Sequence, residues 1–82
     1  MKHIEKFPFN SNISDFLIDS NTLYILTNIG WIYTLDQFRN LNLLCKIQSN
    51  PTSFTISHKF RKKLGFYIGM ESGTLEKYEI NL

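Results

Sequence analysis

The amino-acid sequence predicts an all-β fold: an antiparallel meander of short strands arranged as two four-stranded sheets. Three observations carry that expectation. The first is the even spacing of turn signals, at Asn10-Ser11-Asn12, Asp19-Ser20-Asn21, Asn28-Ile29-Gly30, Arg39-Asn40, Ser49-Asn50-Pro51, the basic stretch Arg61 to Gly65, and Glu71-Ser72-Gly73. Runs of about five to eight residues separate them, as in a β-meander. The second is composition. The 82 residues contain no alanine and no valine, and are rich in isoleucine, leucine and phenylalanine. AT-rich codon usage explains the bias, and its physical result is a lean away from helix toward strand. The third is an internal repeat, described below.

Eight strands are expected. Ile4–Phe9 holds Pro8, which lacks a ladder donor, so this strand belongs at a sheet edge. In Ser14–Ile18, Phe16 and Ile18 point one way and Leu17 the other; in Leu23–Thr27, Leu23 and Ile25 oppose Tyr24 and Leu26. Strands apolar on both sides are expected to be covered on both sides. Trp31–Leu35 follows. Leu43–Gln48 opens the second half, with Leu43, Cys45 and Ile47 on one apolar face. Ser53–Ser57 and Gly65–Met70 come next. In Thr74–Ile80, Glu76, Lys77 and Glu79 alternate with apolar residues, as expected of an outer strand. Helix competes only over Trp31–Ile47. Asp36, Gln37, Arg39, Asn40 and Asn42 break its apolar pattern and no N-cap precedes it, which leaves at most a helical turn at Asp36 to Asn40.

The two halves resemble each other. Ser11-Asn12-Ile13-Ser14-Asp15-Phe16-Leu17-Ile18 aligns with Ser49-Asn50-Pro51-Thr52-Ser53-Phe54-Thr55-Ile56, Tyr24-Ile25 with Tyr67-Ile68, and Gly30 with Gly73. The second half is slightly longer, and its extra residues fall between Ser57 and Gly65, where a surface hairpin would absorb them. A period of about 40 residues with four short strands is that of a β-propeller blade. Leu23 to Asp36, continued through Leu43-Leu44-Cys45-Lys46-Ile47, is similar to the quinoprotein-like repeat, and Phe66 to Tyr78 resembles WD repeats. Leu35-Asp36 and Glu79-Ile80 stand where a WD repeat has Trp-Asp. The resemblance implies two propeller-like blades, at residues 4–35 and 43–80 of one domain spanning 1–82, and scaffolding instead of catalysis. Propellers close with four to eight blades, so the chain is expected to be a piece of a longer propeller, a protomer that closes by self-association, or a strand-pair sandwich that imitates blades.

Composition bounds the rest. The chain has room for one domain. No apolar run reaches the ~18–20 residues of a membrane span, and the net charge of +2 does not compel nucleic-acid binding. Lys2, Glu5, Lys6 and Pro8 interrupt the N-terminal segment, which lacks the apolar core of a secretory signal. With one cysteine, this points to the cytoplasm or nucleus, and makes the Asn12-Ile13-Ser14 glycosylation pattern a chance match.

No catalytic constellation is legible. His3 and His58 have no second ligand at metal spacing, so neither a metal nor another cofactor is expected. Cys45, between Leu44 and Lys46, reads as a buried inert thiol, because a nucleophile needs a base beside it. The carboxylates are scattered, and Glu76 and Glu79 fall on opposite faces of one strand. No phosphate loop or nucleophile elbow occurs.

Two features are candidate binding sites. His58-Lys59-Phe60-Arg61-Lys62-Lys63 places four cations around an aromatic. Such a run grips phosphate backbone, or is a solvated hairpin tip that keeps an edge from pairing. Trp31, directly after Gly30, is either core or a rim anchor for a partner. The expected function is therefore a protein–protein interaction or scaffold module without enzymatic activity, whose partner is a protein or further copies of itself. A small nucleic-acid-associated protein using residues 58–63 is the alternative.

Overall fold

The computed structural model describes residues 1–48 and 50–82; Ser49, with its place in the expected turn and repeat, lies outside the described residues. The described residues form strands and turns and no helix: β1 (Ile13–Asp19), β2 (Thr22–Thr27), β3 (Trp31–Leu35), β4 (Leu41–Lys46), β5 (Pro51–Phe60), β6 (Lys63–Met70) and β7 (Leu75–Asn81). Two antiparallel sheets result, ordered β1-β2-β3-β4 and β5-β6-β7, and they do not close into a barrel or ring.

The expected pair of four-stranded sheets becomes one of four strands and one of three. Two corrections account for the difference. Ile4–Phe9 forms no strand. It lies over the first sheet, where the Phe9 ring meets Tyr33 edge-on at 5.0 Å. Pro8 can give no ladder hydrogen bond, and the two phenylalanines gain more from an apolar face than from an edge. The strand expected to open the second half instead ends the first sheet: β4 pairs with β3, and the Ile47 N–H donates to the Gly30 carbonyl at 2.8 Å. The short turn Asp36–Asn40 returns the chain directly beside β3. In that turn the Asp36 carboxylate accepts from the Phe38 and Asn40 N–H groups at 2.8 and 2.9 Å and from the Asn40 amide at 3.0 Å. These bonds, the largest contribution coming from the Asn40 backbone N–H, lower its pKa against an opposing desolvation.

The repeat is visible as geometry. β1 and β5 carry a register irregularity at equivalent places, Ile13/Asp15 and Pro51/Ser53. Gly30 and Gly73 end equivalent turns at φ 92° and 94°, and their N–H groups donate to Thr27 and Met70 at 3.1 and 3.0 Å. Asn28 N–H reaches the Asn12 carbonyl just as Glu71 N–H reaches Asn50. The extra residues of the second half lengthen the β5–β6 hairpin.

The sheets meet along β1 and β5. Their facing sides form the core: Tyr24, Leu26 and Ile32 from the first sheet, Phe54, Leu64, Phe66, Ile68 and Met70 from the second, with Ile47 from the link after β4. Phe66 is central, 5.9 Å from Tyr24 and 5.7 Å from Phe54. Asp15 clasps the two sheets, because its carboxylate accepts from Phe16 N–H at 2.8 Å and from Phe54 N–H at 3.1 Å.

A bulge between Ile32 and Tyr33 changes the face expected for β4. Leu43 pairs with Tyr33 on the outer side and Cys45 with Ile32 on the core side, so Leu43 and Cys45 do not share a face. Cys45, expected to be buried, is half-buried, and desolvation raises its thiol pKa.

Candidate interaction surfaces

Each sheet turns one face away from the core, and the two outer faces differ. On the first sheet, strand pairing sets two complete rows across all four strands. One is Phe16, Ile25, Tyr33 and Leu43; the other is Ile18, Leu23, Leu35 and Leu41. Seven of these eight side chains are aliphatic or phenylalanine, and the eighth is tyrosine. The N-terminal segment covers part of the face, with Phe7 and Phe9 lining a shallow groove over Leu23, Ile25 and Leu35. Exposure persists at the margins: Phe16 is 64% exposed, Ile18 73%, Leu41 38% and Leu43 44%.

Trp31 lies at one end of this face, half-buried, with the Lys46 ammonium 4.1 Å from its ring centroid. Its backbone is held from β2, since the buried Thr27 hydroxyl accepts from Trp31 N–H at 3.1 Å and donates to the Trp31 carbonyl at 3.2 Å. The tryptophan singled out from sequence is thus brought beside the apolar rows.

The outer face of the second sheet is polar and glycine-rich. Its rows are Ser53, Gly69 and Leu75; Thr55, Tyr67 and Lys77; and His58, Gly65 and Glu79. The last row contains a chain of bonds: Ser57 Oγ lies 3.0 Å from His58 Nδ1, and His58 Nε2 lies 3.0 Å from Glu79 Oε2. The ring spans from β5 to β7 across the middle strand. It can do so because position 65 carries no side chain; a Cβ there would collide with Ser57 Oγ and the imidazole.

The basic hairpin is partly neutralised by the fold. Lys59 Nζ lies 3.5 Å from Asp19, and Lys63 Nζ 3.7 Å from Glu79. His58 is engaged with the same Glu79. Arg61 occupies the turn at φ 57°, its guanidinium 5.2 Å from the Phe60 ring. Among the described residues, Arg61 and Lys62 are the hairpin cations without an ion pair. The sequence signals a block of like charge; the carboxylates that meet it come from β1 and β7 and are invisible in the run itself.

The exposed residues of the first sheet escape a sequence reading for a related reason. Phe16 and Ile18 alternate with Leu17, which predicts cover on both sides. The side bearing Leu17 is covered by the second sheet; the other is covered only over its middle, by Phe7 and Phe9, which leaves Phe16 and Ile18 in water. No three or more His, Cys, Asp or Glu side chains converge as a metal site among the described residues. No family model, curated protein or solved structure matches the chain.

Proposed function

We propose that this chain is a protein-interaction module of two propeller-like sheets, acting through the outer face of the first sheet and performing no catalysis. One observation carries the reading: Phe16 and Ile18 stand largely in water at the margin of two uninterrupted apolar rows. Scattered apolar residues are ordinary on a surface, whereas contiguous patches of a few hundred Å² mark contacts with another molecule. Trp31 at the end of the same face supplies the side-chain type that most often anchors partners. The Ser57–His58–Glu79 chain is assigned to holding the long hairpin. The pairing of Lys59 with Asp19 and of Lys63 with Glu79 weighs against a nucleic-acid role, because cations already matched release fewer counterions on binding phosphate.

The test is position-specific cross-linking. A p-benzoylphenylalanine replacing Phe16 should give nuclease-resistant, protein-sized adducts in an extract of the cells that make the protein. The same group replacing Thr55, on the second sheet, should give few. Adducts from Thr55 alone, none from either, or nuclease-sensitive adducts from the hairpin would overturn the reading.

A further inference from the structure

We infer that the outer face of the first sheet is covered by the same face of a second copy, related by a two-fold axis. This rests on the interaction-module reading and names its occupant. The area comes first. The exposures of Phe16 and Ile18 at one edge and of Leu41 and Leu43 at the other, at roughly 200 Å² per large side chain, leave on the order of 400 Å² of apolar surface in water, in two strips on either side of the N-terminal segment. A standard interface buries about 800 Å² per partner, a little over half of it apolar. The face therefore supplies about the apolar area that one side of a stable dimer needs.

Charge and symmetry select the partner. The two rows contain no ionisable group apart from the Tyr33 phenol, so like can face like without repulsion. The chain's other outer face offers Ser53, Thr55, Lys77 and Glu79 around Tyr67 and a single exposed leucine, Leu75, and cannot reciprocate two apolar rows. Head-to-tail stacking, the arrangement that would extend two blades into a ring of copies, would press leucines and isoleucines against those polar groups and desolvate them. A two-fold contact pairs apolar with apolar and closes on itself. The N-terminal segment, held by Phe9 on Tyr33, occupies the middle of the face. The second copy then meets Phe16 and Ile18 on one side of it and Leu41 and Leu43 on the other.

Sedimentation equilibrium of the purified full chain tests this. A dimer is expected, with a Kd in roughly the micromolar range. Ile18→Lys should raise that Kd at least about tenfold, while Thr55→Lys leaves it unchanged. Ile18 is already mostly in water, so circular dichroism of Ile18→Lys should match the parent. Should that variant fail to fold, p-benzoylphenylalanine in place of Ile18 gives a second reading: the dimer adduct should map to first-sheet peptides of the other copy. A monomer at all concentrations, an assembly broken by Thr55→Lys and not by Ile18→Lys, or adducts on β6–β7 peptides would overturn the inference. A purified monomer whose position 16 still cross-links to a different protein in extract removes the second copy and leaves the interaction module standing.

Discussion

Two glycines with the same backbone conformation test the placement of β4 and Ile47 in the first sheet. Gly30 and Gly73 have φ values of 92° and 94°. An alanine at either carries the steric cost of that region, about 1–2 kcal/mol. At Gly73 nothing lies within 4 Å of an added Cβ, so Gly73→Ala should cost that amount alone. At Gly30 the added methyl would run into the carbonyl of Ile47, a backbone atom tied to the same glycine by the 2.8 Å hydrogen bond. Relieving it must shift the link after β4, at about 1–3 kcal/mol for an overpacked site. Gly30→Ala should therefore cost about 2–5 kcal/mol, against an expected total of about 4–12 kcal/mol for a chain of this length. Urea unfolding followed by tryptophan fluorescence reads both variants on one scale. Equal losses, within about 0.5 kcal/mol, would mean that Ile47 does not lie against the β2–β3 turn.

Three further predictions follow from the same geometry. Thr27→Val keeps shape but removes both bonds to Trp31 and should cost about 1–3 kcal/mol in thermal or urea unfolding; a neutral result would place the Trp31 backbone elsewhere. Gly65→Ala should expel the His58 ring from between β5 and β7, which proton NMR would record as loss of the His58–Glu79 contact; survival of that contact would contradict the placement of the ring. The Asp36 carboxyl should titrate below its ordinary 3.8. Because its folded-state pKa is lowered, it stabilises the turn above that ordinary value, and the contribution is lost as pH falls through the folded value. A carbon-detected NMR titration with a midpoint at or above 3.8 would count against the turn's hydrogen bonds.

Much of this protein is legible in its residues. Asn21, Gly30 and Gly73 mark turns because few side chains tolerate positive φ. Period-two alternation within short runs then locates seven strands, and the match of Phe16 to Phe54 and Gly30 to Gly73 brings out the repeat. The candidate surface was less legible. Trp31 stands out by type, but Phe16, Ile18, Leu41 and Leu43 look the same in sequence as Leu17, Tyr24 and Leu26, which are packed or buried. The bulge that sends Leu43 outward and Cys45 inward leaves no local mark.

The amino-acid order alone thus determined the class, most of the turns and the approximate place of seven strands, since these depend on backbone preferences and on neighbours a few residues apart. The tertiary structure alone decided which sheet receives β4, that Ile4–Phe9 lies across a face instead of along an edge, and which apolar side meets the second sheet. Those choices rest on competition between distant surfaces: Phe9 for Tyr33, Ile47 for Gly30, Asp15 for the Phe54 N–H, Asp19 for Lys59. A residue's own character can say that it seeks burial or a counter-charge; only the assembled chain says where it finds one.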